Sequence, residues 1–388
     1  MADLFTAQEL IDAARRETGR EDFGADAWRD GLEVILDAAA REAELNPIGR
    51  EILRGWIHRR LVNRLRVIDW VAEHPEVRRE RIEKPLVILG MLRTGTTILC
   101  ELLACDPANR PLMKWEGLDC CPPPRAESFR SDPRIRAMVD EMENTYRAVP
   151  RLKAVHFEPG DGPTECVALL GQAFRSQDWM GLFHVPSYVS WYHACDMEPA
   201  YAYHRLALQL LQSRAPGRWS LKAPGHMLAL DALFAVYPDA RLIVTHRDPV
   251  KTVASSASLS FTSRPDSLST VELSDYFGPL WLRINATMVD RMMDFRVRHA
   301  AEDAERFLDL HYGDLVRDPI ESVRRIYDHF GETLTPDAET AMRAHLDAHP
   351  KGHHGVHRYS LAAVGLAPEQ VRERFSEYCA RFDVPPEE

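Results

Sequence analysis

The alternation of apolar and polar positions divides the chain into two parts with different periods. From about residue 6 to residue 77, apolar side chains recur at spacings of three and four with charges between them, which is typical of amphipathic helices. The strongest runs are Asp26–Leu45 and Pro47–His74, and the pair Asn46-Pro47 is typical of a helix boundary. The pattern predicts a helical subdomain over residues 1–80, with dimerisation or the shaping of a site entrance as its open roles.

Beyond residue 80, short apolar runs alternate with helical patterns. The first predicted strand begins at Pro85, and the later ones are Arg218–Leu221, Arg241–His246 and Arg306–His311. Helices are predicted after them, and several begin with a proline, whose missing N–H is tolerated at the first helical position. Strands that alternate with helices favour a parallel sheet covered on both faces. We therefore predict an α/β domain over residues 81–388, built on a P-loop-like parallel sheet flanked by helices.

The first strand runs into a glycine-punctuated turn and then a helix, in the segment PLVILGMLRTGTTILCELL. This order suits an anion, because the N–H groups of the turn and of the helix N-terminus converge on one point. The spacing of Gly90, Gly95 and Thr97 matches the phosphate loop GxxxxGK[ST], but Thr96 stands where the lysine belongs. Arg93 supplies a basic residue inside the turn instead. The loop therefore indicates an anion other than the β- and γ-phosphates of ATP.

Bulk composition narrows the class of partner. The net charge of −11 argues against a broad nucleic-acid or anionic-membrane surface, so an anion site must be a local pocket of basic residues. The seven cysteines show no repeating framework, which is typical of a reducing compartment. No signal-peptide pattern and no run of about 18 apolar residues occurs. These features predict a soluble, cytoplasmic protein without a membrane span or a nucleic-acid partner.

Polar residues follow the other predicted strands in the same way. Lys222 and His226 lie just past the second strand, Arg247 follows the third with Ser255 eight residues later, and Tyr312 ends the fourth. Open parallel sheets bind ligands at the carboxyl ends of their strands, so we expect these groups in one site. That site would combine a backbone cradle, cations and hydroxyl donors, with no carboxylate pair for magnesium and no metal.

Three segments resemble the signatures of sulfotransferases that use 3′-phosphoadenosine-5′-phosphosulfate (PAPS). They are GMLRTGTT, RWSLKAP and VTHRDPVKTVASS, and the likeness extends over roughly residues 85–381. It is greatest to the bacterial branch that also resembles tyrosylprotein sulfotransferases. The resemblance implies that PAPS is the co-substrate, that 3′-phosphoadenosine-5′-phosphate (PAP) is the product, and that no metal is required.

The resemblance also implies a role for each matching position. The turn would hold the 5′-phosphosulfate, Arg247 and Ser255 would grip the 3′-phosphate, Tyr312 would lie near the nucleotide, and Arg358 would close over the 3′-phosphate. The nucleotide-binding positions so implied are Arg93, Thr94, Gly95, Thr96, Thr97, Arg247, Ser255, Tyr312 and Arg358.

Catalysis would rest on charge stabilisation and a general base. A transferring sulfuryl group carries less negative charge than a phosphoryl group, so Arg93 and Lys222 are the candidates for stabilising it without a metal. The acceptor hydroxyl needs a proton acceptor within hydrogen-bond reach. Glu116 is the favoured base on its likeness to a catalytic glutamate of the tyrosylprotein branch, and His226 competes with it. Asp161 and Glu165 remain as further alternatives.

The acceptor and the rival functions stay open at this stage. The stretch Phe174–Tyr203 contains eight aromatic residues, which predicts core packing or the wall of an apolar acceptor pocket. The acceptor is a hydroxylated small molecule or lipid of unknown identity. A kinase or NTPase with a degenerate phosphate loop is the alternative, although Thr96 and Thr245 occupy its expected lysine and aspartate positions. A nucleotide-sensing protein is a further rival. His353 and His357 invite a metal site, which the neighbouring glycines disfavour.

Overall fold

A five-stranded, wholly parallel sheet forms the centre of the α/β part. The computed structural model describes residues 5–263, 268, 276–350 and 360–387. The spatial order of the strands is β2-β3-β1-β4-β5, so the phosphate-type turn after β1 lies in the middle of the sheet. The strands are β1 Leu86–Gly90, β2 Asn109–Pro111, β3 Arg218–Lys222, β4 Arg241–His246 and β5 Phe307–His311. The predicted α/β class with a parallel sheet is confirmed.

Both faces of the sheet are buried, which explains the unbroken apolar run of β1. Val87 and Leu89 belong to a large core on one face, whereas Leu86 and Ile88 belong to a smaller core on the other. Successive side chains of a strand point to opposite faces, so a strand covered on both sides must be apolar at every position. All five residues of β1 are buried, and β1 is therefore the rigid base from which the following turn projects.

Helices cover the sheet and make up most of the chain. Several begin at a proline, as at Pro133, Pro249 and Pro319. The described helices are α1 Ala7–Thr18, α2 Trp28–Glu42, α3 Pro47–Glu73, α4 Thr96–Ala104, α5 Lys114–Leu118, α6 Pro133–Ala148, α7 Pro150–Val155, α8 Val167–Leu170, α9 Asp178–Leu182, α10 Pro186–Ala194, α11 Glu198–Gln212, α12 Leu230–Val236, α13 Pro249–Ser263, α14 Phe277–Arg298, α15 Asp303–Arg306, α16 Tyr312–Arg317, α17 Pro319–Phe330, α18 Pro336–Ala348, α19 Pro368–Arg374 and α20 Ser376–Arg381. Among these helices, none is both long enough and apolar enough to cross a membrane.

Helices α2 and α3 pack against the α/β part through apolar side chains and a buried arginine. Arg64 in α3 donates to the backbone oxygen of Phe23 at 2.8 Å and to that of Gln172 at 3.4 Å. Leu32 and Leu61, from α2 and α3, share the large core with the sheet. These contacts fasten the helical layer to the segment that precedes α9. A separate subdomain over residues 1–80 stays a prediction.

The sequence predicts a proline-rich connection over Pro107–Pro124 and one helix over Pro163–Arg175, and both predictions are wrong in part. The connection after α4 contains a fifth strand, β2, because Asn109–Pro111 pairs with the first three residues of β3. That strand is short, polar and ends in proline, so no periodic pattern marks it. The predicted helix over 163–175 shortens to α8 and a 3₁₀ turn at Gly171–Ala173, and Phe174 takes a left-handed conformation with φ of 54°.

Candidate active site

The carboxyl ends of four strands bring the predicted residues to one edge of the sheet. Lys222 is the last residue of β3, Arg247 follows β4, and Tyr312 follows β5. The turn after β1 lies between them because β1 pairs with both β3 and β4. This is the edge at which open α/β sheets bind ligands.

The turn after β1 has the backbone that an anion cradle needs. Gly90 and Gly95 have φ values of 152° and 92°, and Arg93 adopts a left-handed conformation with φ of 69°. A Cβ on Gly95 would lie 2.7 Å from the Leu315 side chain and 3.2 Å from the Tyr312 ring. Glycine is therefore required here for both backbone angle and space. The α4 N-terminus at Thr96 follows immediately, so free N–H groups and the positive end of the helix face the turn.

Thr94 fastens the turn to the sheet through its side chain, and its predicted contact with the nucleotide stays a prediction. Its side chain is fully buried, donates to the backbone oxygen of Met91 at 2.7 Å, and lies 2.5 Å from the hydroxyl of Thr245 in β4. A magnesium-dependent kinase would need a metal-binding aspartate at the position of Thr245. In this structure that strand end carries a hydroxyl committed to holding the turn in place.

Arg247 connects the turn to two other elements. Its Nη1 donates to the backbone oxygen of Arg93 at 2.8 Å, and its guanidinium carbon lies 3.9 Å from the centroid of the Tyr312 ring. Its Nε and Nη2 donate to the two carboxylate oxygens of Glu387 at 2.8 and 2.9 Å. Ser255 lies buried in α13, two turns beyond Arg247. The structure thus brings Arg247, Tyr312 and the turn together, and places a carboxylate on the guanidinium.

Lys222 lies buried beside carboxylates at the end of β3. Its Nζ donates to Oε1 of Glu165 at 2.8 Å, and it lines a small pocket together with Thr97 and Glu158. Burial alone would lower the pKa of Lys222, but Glu165 and, less strongly, Glu158 outweigh burial and raise it above its ordinary value. Lys222 therefore stays protonated beside the first turn of α4 and can stabilise negative charge there.

Glu158 lines the pocket beside Lys222, although no sequence pattern singles it out. Its carboxylate contacts the Lys114 amine, and its Oε1 lies 3.1 Å from Nε2 of His156. Burial alone would raise the pKa of Glu158, but Lys114 and His156 hold it well below its ordinary value. Glu158 lies in the loop segment HFEPGDGP between α7 and α8, and a carboxylate in such a glycine- and proline-rich loop is the one feature that could have indicated it.

Glu116 is placed in a buried ion pair away from Lys222. Its two carboxylate oxygens each accept from Arg110 at 2.7 Å, and its Oε1 also accepts from the Met113 N–H at 3.0 Å. Its side chain is fully buried, and the Arg110 guanidinium lies over the ring of Trp219, in the amino-terminal half of β3. The catalytic role of Glu116 stays a prediction, and this geometry gives the residue an alternative task in holding α5 to the sheet.

The other candidate bases also have defined surroundings. His226 is buried, its Nδ1 lies 2.7 Å from the hydroxyl of Tyr201, and its Nε2 has no partner among the described residues. Burial lowers the pKa of His226 to about 3, so its imidazole is neutral and weakly basic. Asp161 is exposed, and Glu165 is committed to Lys222.

The remaining candidate residues lie either in the core or outside the residues that the structure describes. Trp179, Phe183 and Tyr188 are fully buried in the large core, which supports the core-packing interpretation of the aromatic stretch. Arg358, His353 and His357 lie outside the described residues. Within the described ranges, no three His, Cys, Asp or Glu side chains are arranged to hold a metal ion.

A family model named for the sulfotransferase family matches residues 85–336, which include β1 to β5 and every described site residue except Glu387. The chain belongs to the sulfotransferase family. Among solved structures, this sulfotransferase is similar to STF9 from Mycobacterium avium, with 36% identity, a TM-score of 0.91, and coverage of 99% of this chain and 98% of that one. STF1 from Mycobacterium tuberculosis H37Rv gives 35% identity, a TM-score of 0.86, and coverage of 97% and 100%.

A curated relative adds information about an acceptor. The omega-hydroxy-beta-dihydromenaquinone-9 sulfotransferase Stf3 of Mycobacterium bovis is 25% identical over 276 residues, which are 68% of each chain. The predicted family and the predicted transferase activity are confirmed. The more specific likeness to the tyrosylprotein branch stays a prediction.

Proposed function

We propose that this sulfotransferase transfers the sulfuryl group of PAPS to the hydroxyl of a lipid-like alcohol. The observation that carries the donor assignment is the position of Arg247. Its guanidinium lies over the ring of Tyr312 and donates to the backbone of the turn at Arg93. Arg247 therefore contacts two other residues that are predicted to bind the nucleotide. A guanidinium beside an anion cradle is suited to a second phosphate, because it can bind two oxygens at once.

The nucleotide would extend along the strand ends. We assign its 5′-phosphosulfate to the turn, where Arg93, Gly95 and the start of α4 supply a cation and N–H donors. We assign its 3′-phosphate to Arg247 and to Ser255 in α13. Lys222 and Thr97 line one pocket at the first turn of α4, so they would lie at the sulfuryl end of the donor. These assignments stay proposals.

The chemistry that these residues supply is positioning and charge stabilisation. Lys222 is protonated and fixed by Glu165, so its ammonium needs no reorganisation when negative charge develops on the leaving oxygen. The turn is equally fixed, since Thr94 is hydrogen-bonded to Met91 and Thr245. No metal is needed if these groups and Arg93 balance the charge, which is our proposal for this site.

The acceptor class rests on the curated relative. The name of Stf3 specifies a hydroxylated menaquinone derivative, which is a lipid-like alcohol. A long apolar tail can be bound by an apolar surface, whereas the hydroxyl needs only a small polar opening to the sulfuryl group. The narrow pocket beside Lys222 suits the hydroxyl end of such a molecule. We extend the acceptor class, and not the particular quinone, to this chain.

The compartment and the oligomeric state are also proposals. All seven cysteines are free thiols, which supports a reducing, cytoplasmic compartment. The homodimer predicted as one role of the first helices stays a prediction.

A screen with labelled PAPS tests the proposed function. Polyprenyl alcohols, alkanols, sterols, phenols and sugars are each incubated with the protein and labelled donor, and the products are identified by mass spectrometry. Transfer to polyprenyl alcohols or alkanols is the expected result. Transfer confined to sugars or phenols contradicts the acceptor class, and equal binding of PAP and adenosine 5′-phosphate contradicts the donor assignment.

A further inference from the structure

We infer that Glu158 is the residue that accepts the proton of the acceptor hydroxyl. This inference rests on the proposed function. Glu158 lines the same pocket as Lys222 and Thr97, so a carboxylate, a cation and the start of α4 meet there. Both parts of a transfer reaction need such groups: a cation for the leaving oxygen and a base for the incoming hydroxyl.

The position of Glu158 is fixed by its backbone and by its side chain. Its N–H donates to the hydroxyl of Tyr146 at 2.7 Å, and the same hydroxyl lies 2.9 Å from its backbone oxygen. Its carboxylate contacts Lys114 and His156. A base that is held in this way is ready for proton transfer without rearrangement.

The proton and the electrons have defined destinations. The acceptor oxygen forms a bond to sulfur, while the bond from sulfur to the phosphate oxygen breaks and its electron pair leaves on PAP. The hydroxyl proton passes to the Glu158 carboxylate. The Glu158 side chain retains 18% exposure, so the proton can pass from the carboxylate to solvent.

The neighbouring carboxylates are ion-paired, as Glu158 is, and they differ from it in their partners and in whether they line the pocket. Glu165 accepts from the Lys222 ammonium at 2.8 Å and holds that cation in place. Glu116 accepts two hydrogen bonds from Arg110 at 2.7 Å each. Glu101 lines the same pocket but pairs with His345 at 3.4 Å. Glu143 is exposed in α6, pairs with Arg147 at 3.2 Å and is not among the residues that line the pocket, so it provides a matched control.

The test compares Glu158→Gln with Glu143→Gln. PAP affinity is measured by calorimetry, and PAP release from bound PAPS is followed with water as the acceptor and then with hexadecanol in detergent micelles. Glu158→Gln is expected to lower both rates by about 10²–10⁴-fold, with PAP affinity nearly unchanged, whereas Glu143→Gln keeps most of the rate. Glu158→Asp should restore part of it.

Two outcomes separate this inference from the proposed function. Near-normal release by Glu158→Gln, with either acceptor, overturns the role of Glu158. If the wild-type protein binds PAP but releases it only with water, the alkanol class is wrong while the role of Glu158 is still decided by the water reaction. Failure of the wild-type protein to bind PAP contradicts the donor assignment, and with it this inference.

A second and independent observation concerns Glu387. We propose that its carboxylate occupies the place of the nucleotide's 3′-phosphate, so that the nucleotide must displace it. This also rests on the proposed function. The carboxylate binds Nε and Nη2 of Arg247 at 2.8 and 2.9 Å, as a phosphate would, and the Glu387 N–H donates to Asp248 at 2.9 Å.

The segment that carries Glu387 is anchored beside the site. The hydroxyl of Tyr378 in α20 lies 2.9 Å from Nδ1 of His246, and the Phe382 ring stacks on the His246 ring with centroids 4.5 Å apart. The Val384 N–H then donates to the Cys379 backbone at 3.0 Å. His246 directly precedes Arg247, so α20 is anchored at the same end of β4 as the guanidinium that Glu387 binds. Because Val384 is held to α20, displacement of Glu387 from Arg247 is expected to move the residues after Val384.

Titration with two nucleotides tests the competition. Glu387→Gln removes the competing charge but keeps a neutral hydrogen-bonding group, so we expect PAP to bind about three- to tenfold more tightly, which is roughly the range of one neutral hydrogen bond. Adenosine 5′-phosphate lacks the 3′-phosphate, and its affinity should not change. Glu377→Gln, at an exposed position in α20, is the matched control.

The outcomes distinguish the two proposals. If the wild-type protein prefers PAP to adenosine 5′-phosphate but Glu387→Gln leaves both affinities unchanged, Glu387 does not compete. If the wild-type protein shows no such preference, the assignment of Arg247 to the 3′-phosphate is itself wrong. An equal gain for both nucleotides also contradicts the competition, because it does not involve the 3′-phosphate.

Discussion

The guanidinium of Arg247 lies over the ring of Tyr312, 3.9 Å from its centroid. The two residues follow β4 and β5, and the ring also limits the space beside Gly95 in the turn after β1. Three strand ends are therefore fixed to one another by contacts within the protein. A site held in this way loses little conformational entropy on binding.

Arg247→Ala is expected to weaken PAP binding roughly tenfold or more, since a charged hydrogen bond contributes about 1.5–3 kcal/mol. The affinity for adenosine 5′-phosphate should fall much less. Calorimetric titration of both nucleotides measures the difference. Arg241→Ala is the control, because Arg241 lies in the same strand but at its other end, where it pairs with Glu332. Equal loss for both nucleotides would contradict the assignment.

Gly95→Ala is expected to abolish most PAP binding, because the new methyl group would lie 2.7 Å from Leu315 at a backbone φ of 92°. The turn would have to move, and its N–H groups would move with it. Gly55→Ala is the control, since that position is exposed in α3 with open space around it, and it should stabilise the fold by about 0.5–1 kcal/mol. A Gly95→Ala variant that binds PAP normally would show that the cradle is not at this turn.

The sequence predicts the sheet and the turn better than it predicts the carboxylates. The apolar run of β1 and the glycines after it are local patterns, and both are confirmed in the fold. The pairs Lys222–Glu165 and Arg110–Glu116 join different elements, so their geometry follows from packing. A sequence pattern places Glu116 after a helix, but it cannot show that a buried arginine takes both of its oxygens. The same limit explains why Glu158 was missed.

Transfer is expected to proceed without added metal. Arg93, Lys222 and the N–H groups of the turn are the proposed charge-stabilising groups, and Thr96 and Thr245 stand where a magnesium-dependent enzyme of the phosphate-loop type needs a lysine and an aspartate. PAP release from PAPS is measured after exhaustive chelation and again after dialysis against magnesium. Complete loss that magnesium alone restores would contradict the metal-free mechanism.

Stability is expected to fall on mild acidification because two buried histidines are neutral in the fold. Burial lowers the pKa of His204 and of His226 from 6.5 to about 3. The unfolded chain binds these protons at higher pH, so their contribution is complete above about pH 6.5 and is lost as the pH falls towards about 3, by up to roughly 1.4 kcal/mol per pH unit for each group.

Urea unfolding between about pH 7 and about pH 5 measures this slope. His204→Gln should lower this slope by the equivalent of close to one bound proton, whereas His329→Gln, at an exposed position in α17, should leave the slope unchanged. A slope that is the same in all three proteins would show that His204 is not a buried neutral base.

Glu116→Gln separates the structural interpretation of this residue from the catalytic one. Because Arg110 and Glu116 are both buried and form two hydrogen bonds of 2.7 Å, loss of the carboxylate leaves a buried guanidinium without its counter-charge. Breaking a buried ion pair from one side typically costs about 3–5 kcal/mol, so a large fall in the unfolding free energy is expected. The folded fraction should still release PAP from PAPS at a rate close to that of the wild type.

The competing result is equally definite. If Glu116→Gln is as stable as the wild type, binds PAP normally and transfers no sulfuryl group, Glu116 is the base that the sequence indicated. Glu158→Gln would then retain its rate, and His226→Ala serves as the control for the third candidate. Stability, PAP affinity and rate must be measured on the same preparations, because a destabilised variant and an inactive one give the same loss in an activity assay alone. Only a loss of rate at unchanged stability and affinity identifies the proton acceptor.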